Sequence, residues 1–282
     1  MHRLIPISSI GTIVLPVLIG SLHQPQLRAQ SQASAVRYEV ASIKPSKSDD
    51  PRRHGMEFLP GGRFRSTNMP LLPVLATAYD IPFQSIESLQ LRIRGLPDWI
   101  FSEPYDIEAK AENGLAAPGA SAKSRNERIR LMLQSMLIER LKLRIRRDTT
   151  ELAVYALVVG KRGLRLEKSK IAEQDCTESA PFGGTNCHQF QGGAGRGIHG
   201  LAIDMSDLAA YVSNWSDRPI VDQTGLAGLY AIQTEGWASS SGDDPSRQTL
   251  DQVLDRLGLK LVNKKAPLEI LVIEHLEKPS DN

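Results

Sequence analysis

The sequence has few of the features that mark an enzyme or a polyanion-binding protein. It has only two cysteines, 5% aromatic residues, and 34 basic against 32 acidic side chains. Loss of residues 1–35 would remove Arg3 and Arg28 and no acidic residue, and 34 − 2 leaves 32 of each sign. A neutral chain lacks the basic excess of a general nucleic-acid binder. We therefore predict no nucleic-acid partner.

Long apolar runs are also lacking, except at the amino terminus. Residues Ile5 to Ile19 are mostly apolar and uncharged, and Ala33-Ser34-Ala35 follows with two small residues at A-x-A spacing. This pattern is typical of a secretory signal peptide. The alternative is a retained membrane anchor, but the run is shorter than the roughly 20 residues that span a bilayer. We predict a signal peptide over 1–35, a periplasmic or extracellular protein, and no membrane span after cleavage.

The two cysteines, Cys176 and Cys187, lie eleven residues apart in a stretch rich in Gly, Ser, Thr and Asn. Export brings them into an oxidising compartment, which favours a disulfide. Closing so short a loop stabilises the fold by roughly 3 kcal/mol. His188 is adjacent, but a structural zinc site needs four ligands in a recognisable spacing, and a paired cysteine cannot be a nucleophile.

Motifs of catalysis are missing from the sequence. It contains no G-x-S-x-G, H-E-x-x-H, Walker A or kinase motif. The run GGAGRG at 192–197 is predicted to be flexible linker rather than a phosphate-binding loop. Four histidines lie beyond the signal segment without metal-ligand spacing, and we expect them on the surface or at strand edges: His54, His188, His199 and His275. We predict no catalytic residue, metal or cofactor.

The chain also repeats itself. Residues Glu139–Leu157 align without a gap to Asp255–Ile273, and the amphipathic stretch Arg128–Ile138 has a counterpart around Leu250–Leu257. We predict an α+β fold of two tandem related copies. Each copy is read as β-α-β-β-α-β-β, with an antiparallel or mixed sheet packed on helices. The predicted boundaries are 36–167 for the first copy, 168–197 for a Cys/Gly-rich linker and 198–282 for the second copy.

Each copy is predicted to close with a β-hairpin, because apolar and polar residues alternate there. The first hairpin runs from Leu141–Arg146 through a turn at 148–150 to Leu152–Val159. The second runs from Leu259–Val262 through a turn at 263–265 to Leu268–Ile273. Two further predictions are an added strand at Tyr38–Lys44 and a turn at 222–225.

Tryptophan is scarce, which draws attention to its three positions. One hypothesis places Trp99 and Trp237 on either side of a groove for a glycan or peptide, since aromatic rings supply contact area there. The alternative is that both rings cover the edges of the core. Trp215, near the end of a predicted helix, is expected to pack in the core.

Several segments occur in a familiar order: YEVASIKPSK, LPGGRFRSTNM, LPDWIFSEPYDIEAKAE, RLMLQSMLIERLKLRIRRDTTELAVYALVV, PIVDQTGLAGLYAIQTEGW and LEILVIEHLEKPS. Together they resemble a family of exported "soil-associated" proteins of acidobacteria that carry a domain of unknown function. The resemblance spans roughly residues 38–279. It implies export and a shared fold, and it implies no reaction and no catalytic residues.

The second copy also looks like the short N-terminal domain of secretins and TonB-dependent receptors, a periplasmic α+β module for protein contacts. No outer-membrane barrel or secretin core follows, so that function does not transfer. We predict a non-catalytic binding module of the cell envelope that contacts another envelope protein through sheet edges. The alternatives are an envelope or extracellular hydrolase and a glycan- or peptide-binding module.

Overall fold

A computed structural model describes residues 36–48, 50, 53–59, 61–82, 86–111, 121–176, 187–238 and 248–280. The predicted signal peptide lies outside these residues. Residues 36–282 form one compact unit, in which both predicted copies lie. The described part is a mixed α+β fold with twelve strands in three sheets and six α-helices. None of the described helices has both the length and the apolar character needed to cross a membrane.

The first sheet has the strand order β1-β5-β3-β2, and all its neighbours are antiparallel. Its strands are β1 (Tyr38–Pro45), β2 (Gly55–Leu59), β3 (Arg63–Met69) and β5 (Tyr105–Ala111). On β5 every second residue from Tyr105 to Ala111 is buried, so one face covers a core. That core is closed by helices α1 (Leu72–Ala78) and α4 (Ala122–Leu141). The predicted strand at Tyr38–Lys44 is confirmed as β1.

The third sheet has the order β7-β11-β9-β8 and belongs to a second core. Its strands are β7 (Glu167–Lys168), β8 (Gln191–Gly193), β9 (Gly197–Ile203) and β11 (Tyr230–Gln233). Helices α5 (Met205–Ser213) and α6 (Leu250–Arg256) cover it. The GGAGRG run is therefore the turn of the β8–β9 hairpin rather than flexible linker. Gly193 has φ +128°, and a Cβ there would meet the Trp215 ring at 2.7 Å, so the close packing requires glycine.

The central sheet has the order β10-β6-β12-β4 and joins the two halves of the chain. Strands β6 (Arg144–Val159) and β12 (Leu259–His275) pair antiparallel along nearly their whole length. Two short parallel strands flank them, β4 (Ile93–Arg94) on β12 and β10 (Ile220–Asp222) on β6.

The two predicted closing hairpins are wrong. The intended turns at 148–150 and 263–265 lie in the middle of β6 and β12 and pair with the opposite long strand. Neither tripeptide contains glycine, and neither contains any of the described residues with positive φ, which tight hairpin turns favour. Each strand therefore stays extended and finds its hydrogen-bond partner in the other half of the chain.

Two helices carry the local signals that the sequence chemistry predicts. Helix α4 contains the predicted stretch, and its apolar residues Ile129, Leu133, Met136 and Leu137 are all buried. Helix α6 starts with a capping box between Thr249 and Gln252. Two short helices, α2 (Ile86–Arg92) and α3 (Trp99–Ser102), lie between α1 and β5.

The turn predicted after β10 is confirmed. The Asp222 Oδ1 atom accepts hydrogen bonds from the Thr224 backbone N–H and hydroxyl, both at 2.8 Å. Gly225 then takes φ +69°. The Asp222 side chain therefore forms hydrogen bonds within its own turn and stabilises that turn.

Candidate functional site

The cysteine pair organises the loop before β9. Cys176 and Cys187 form the predicted disulfide, with Cα atoms 5.6 Å apart. Both residues are buried in a small apolar cluster with Ala202 and Leu229. Cys187 also forms a β-bridge with Ala202 on β9. The disulfide therefore fixes the backbone immediately before His188.

The sequence predicted His188 on the surface or at a strand edge, and the structure places it beside β9 with its side chain buried. Its side chain is only 2% exposed, and its backbone has φ +54° while its N–H donates to the Ala202 carbonyl at 2.8 Å. Ring atom Nδ1 contacts the Asp207 carboxylate. Ring atom Nε2 lies 3.1 and 3.2 Å from the two Glu173 carboxylate oxygens. The neighbouring disulfide and β-bridge turn the ring inward, and neither is visible in the spacing of the histidines.

Two aspartates at the start of α5 complete the cluster. Asp204 is the N-cap, and its Oδ1 accepts the Asp207 backbone N–H at 2.7 Å. Its Oδ2 accepts a hydrogen bond from the Lys123 ammonium at 2.8 Å and lies 3.9 Å from His188 Nδ1. Lys123 belongs to α4, so this ion pair connects the two halves of the chain.

The two aspartates differ in electrostatics. Burial raises the pKa of the Asp204 carboxyl, but hydrogen bonds from Lys123, the Asp207 backbone and Ser206 outweigh burial and lower the pKa to about 2. The pKa of Asp207 is raised, chiefly by burial, although its hydrogen bond with His188 acts in the opposite direction. The pKa of Lys123 is raised, first by its hydrogen bond to Asp204. The cluster therefore holds an anionic Asp204 beside a cationic Lys123.

A polar recess of about 460 Å³ opens beside this cluster. One wall is the first turns of α4, and the other carries residues that precede or follow α4 in the chain. Its lining residues are Lys123, Ser124, Asn126, Glu127 and Arg130 on α4, with Asp80, His188 and Asp207 opposite. Arg130 forms ion pairs with Asp80 and Glu127, at 3.2 and 2.8 Å. The recess thus lies between elements from both halves of the chain and carries both signs of charge.

The chain was compared with protein families, curated proteins and solved structures. It matches the family described as "Protein of unknown function (DUF3738)" over residues 73–276, more than half of its length. The chain belongs to the DUF3738 family. No curated protein and no solved structure matches it. His188, Asp204 and Asp207 all lie within the range that the DUF3738 family covers.

Trp99 and Trp237 lie in different cores of this DUF3738 chain. Trp237 is 1% exposed and packs edge-on against Trp215, with ring centroids 5.4 Å apart. Trp99 is half-buried and packs edge-on against Tyr105 at 6.2 Å. The structure brings the two rings to no common surface, and Trp237 has no open face for a ligand. Ligand binding by this pair stays a prediction that the packing does not favour.

The outer edge of β2 is a second candidate site. Within the described residues no strand pairs with this edge, since β2 is the last strand of the first sheet. Its residues Gly55, Met56, Phe58 and Leu59 are half-buried, and Glu57 is exposed. Met56 and Phe58 pack against the first core. The edge therefore presents backbone hydrogen-bonding groups beside a partly covered apolar face.

Sequence reasoning missed the histidine cluster for a definite reason. His188 was judged against four-ligand zinc spacings, and its partners are carboxylates at separations of 15, 16 and 19 residues. The one available signal was Asp204-x-x-Asp207 at a helix start, which places two carboxylates on the first turn. Nothing in the sequence indicated that the disulfide loop folds onto that turn.

Proposed function

We propose that the protein is an exported, non-catalytic binding module that contacts another exported protein through the edge of β2. The observation that carries this proposal is the state of that edge. Proteins protect sheet edges with short strands, charges, prolines or bulges. Five residues of β2 carry a single charge and no proline, and their backbone groups can accept an added strand.

The other edges are better protected. Strand β1 has a register shift between Tyr38 and Val40 and ends with Lys44 and Pro45. The edge strands β4, β7, β8 and β10 have only two or three residues each. Among the edge strands that the structure describes, β2 therefore offers the longest unprotected run.

The charge pattern across the sheet favours a partner segment that carries a cation. Glu57 on β2 faces Arg65 on β3, which faces Glu108 on β5. Arg65 Nε donates to Glu108 at 2.7 Å, and the pKa of Arg65 is raised chiefly by this bond, with Glu57 adding to the effect. An added strand continues the alternation if it places Lys or Arg opposite Glu57. We propose an extended segment with alternating apolar residues and a central cation.

Export is supported by two features. The amino-terminal apolar run has the form of a signal peptide, and a buried disulfide such as Cys176–Cys187 is typical of proteins that fold in an oxidising compartment. Periplasmic or extracellular location follows from export. The acidobacterial origin remains a prediction from the resemblance.

The matched strand orders support duplication as the origin of the fold. In chain order, strands β1, β2, β3 and β5 of the first half correspond to β7, β8, β9 and β11 of the second half. With this correspondence, the strand orders β1-β5-β3-β2 and β7-β11-β9-β8 are the same. In the ungapped alignment of the two copies, Glu151 corresponds to Pro267, and these two residues face each other where β6 pairs with β12. Likewise Tyr155 corresponds to Leu271, and each pairs with an isoleucine of a short parallel strand.

The second half also has the element order β9-α5-β10-β11-α6-β12. This order supports the likeness to the short N-terminal domain of secretins. The likeness in turn favours a role in protein contacts over a role in catalysis.

A hydrolase is less well supported, although the recess holds a histidine and several carboxylates. A histidine acting as general base needs a ring nitrogen that faces the substrate or nucleophile. Both ring nitrogens of His188 face carboxylates. The nearby Ser206 hydroxyl donates to Asp204 at 2.7 Å. The arrangement therefore lacks the Ser–His contact of a nucleophilic dyad.

Selection from a random-peptide display library tests the binding proposal, with the folded, oxidised protein as target. We expect enrichment of peptides that alternate apolar and polar residues and carry a Lys or Arg. Their binding should weaken in Glu57→Lys and persist in Glu167→Lys, a matched charge reversal on the edge strand β7. Equal effects of both variants, or no effect of either, would contradict binding at β2.

A further inference from the structure

We propose that His188, Asp204 and Asp207 bind a divalent first-row transition cation of the Zn²⁺ type, through Nδ1 and two carboxylate oxygens. The three ligand atoms all lie within 4.8 Å of one another. Nitrogen and carboxylate ligands of this kind are those that Zn²⁺ and its neighbours use. This site is independent of the proposed contact at β2.

The hydrogen-bond geometry at His188 leaves a place for a cation, because both ring nitrogens face carboxylates. Carboxylates can only accept, and a neutral imidazole has one N–H. Because Nδ1 faces Asp207 and Nε2 faces Glu173, a neutral ring leaves a lone pair against an acceptor on one side. A metal ion at Nδ1 removes this conflict, and Nε2–H then donates to Glu173. A second proton on the ring is the competing solution, and the experiment below separates the two.

Glu173 has the position of an outer carboxylate. A metal-bound histidine usually donates its other ring N–H to a carboxylate or carbonyl, which fixes the ring and its tautomer. Both Glu173 oxygens lie within 3.2 Å of Nε2. Glu173 is half-exposed and carried by a short 3-10 turn that ends at Cys176. The disulfide therefore links the segment that carries this carboxylate to the segment that carries the imidazole.

The ligand positions need movements in both directions, because the Asp207 carboxylate, now in hydrogen-bond contact with Nδ1, must move away from it and the Asp204 carboxylate must move closer. Tetrahedral ligands at about 2.1 Å from a metal lie roughly 3.4 Å apart. Asp204 Oδ2 is 3.9 Å from His188 Nδ1, and both aspartates sit on one helical turn. His188 and Asp207 line the recess, so water from the recess could complete the shell. The candidate ligand atoms of Glu173, Cys176 and His188 also lie within 4.8 Å of one another, but the Cys176 sulfur is bonded in the disulfide.

In the metal-free protein, Lys123 supplies the positive charge beside Asp204. Its ammonium contacts Asp204 Oδ2 at 2.8 Å, and its side chain is 52% exposed. A metal on Asp204 would compete with this ammonium, and a half-exposed lysine can move into solvent. Removal of the lysine charge should therefore tighten metal binding, whereas a purely structural ion-pair cluster predicts only a loss of stability.

Titration with Co²⁺ tests the site, with the oxidised protein freed of metal by a chelator. We expect one Co²⁺ per chain, visible absorption bands of a nitrogen- and oxygen-ligated ion, and displacement by Zn²⁺. His188→Gln should abolish the bands, while His275→Gln, a histidine outside the cluster, should leave them unchanged. Glu173→Gln should weaken binding by about 10- to 100-fold. Lys123→Met should tighten it by about fivefold.

Asp204→Asn keeps the result interpretable if His188→Gln fails to fold. Asparagine caps a helix about as well as aspartate, so this variant removes a metal ligand and retains the start of α5. Loss of the Co²⁺ bands in folded Asp204→Asn supports the site. Absence of bands in the wild type, or bands that persist in His188→Gln or Asp204→Asn, overturns it.

Discussion

Reduction of the disulfide should destabilise the protein by about 3 kcal/mol. The two cysteines are separated by eleven residues, and the chain-entropy relation gives this value at 25 °C for so short a closed loop. Comparing oxidised and reduced forms of the same chain removes no atoms from the core, so a cavity adds nothing to the difference.

Both sulfur-bearing residues are buried, at 0 and 1% exposure. Reduction should therefore be done in the unfolded chain, followed by refolding in reductant. Urea unfolding at equilibrium then measures the free energy of unfolding of each form. The reduced form should also bind Co²⁺ more weakly, because His188 and Glu173 lose the covalent link that holds their loop.

Equal urea midpoints with equal slopes in the two forms would refute this reasoning. That result would mean that the buried packing of Cys176 and Cys187 against Ala202 and Leu229 holds both residues in place without the covalent bond. A destabilised reduced form with unchanged Co²⁺ affinity would separate the two effects, and would show that the packed loop alone positions the ligands.

Three further predictions concern the fold. Gly258→Ala should lower the melting temperature far more than Gly225→Ala. Both glycines have positive φ, but of the two only Gly258 would bring an added Cβ against a backbone oxygen, at 2.0 Å. Similar losses in the two variants would contradict this close approach. Tyr38→Phe should raise stability by up to about 1 kcal/mol, since the buried hydroxyl has no partner in the described residues. Burial also raises the pKa of the Tyr38 hydroxyl. The contribution of Tyr38 to the free energy of unfolding is therefore complete below its ordinary pKa of 10.0 and is lost as the pH rises above that value. Urea unfolding should therefore show the Tyr38→Phe advantage growing above pH 10, and a constant difference would count against a buried hydroxyl. Cysteines at Thr149 and Glu269, which face each other across β6 and β12, should crosslink within one chain on oxidation, whereas the hairpins predicted from sequence would keep them apart.

The sequence predicted features that depend on neighbouring residues. Strand β1, the Asp222 turn and the α4 stretch each carry their signal within a few residues, as alternation, side-chain capping or helical spacing. The disulfide followed from the compartment and the count of two cysteines. These features could be predicted because no distant partner is needed to form them.

Features set by distant partners were not predicted correctly. The paired residues of β6 and β12 are 100 (259 − 159) to 131 (275 − 144) positions apart in the chain, and the alternation within each strand suits a hairpin and a long strand equally. The burial of His188 depends on a β-bridge to Ala202 and on a helix start that brings Asp207 to the ring. Such contacts arise only when the second half of the chain folds.

Hydrogen exchange of the β2 amides tests the proposed function most directly. The measurement compares the free protein with the protein saturated by a peptide selected for binding. Strand addition predicts slower exchange in Gly55–Leu59, and weaker protection of this segment in Glu57→Lys at the same peptide concentration. Unchanged exchange in β2, with protection elsewhere on the protein, would contradict binding at this edge.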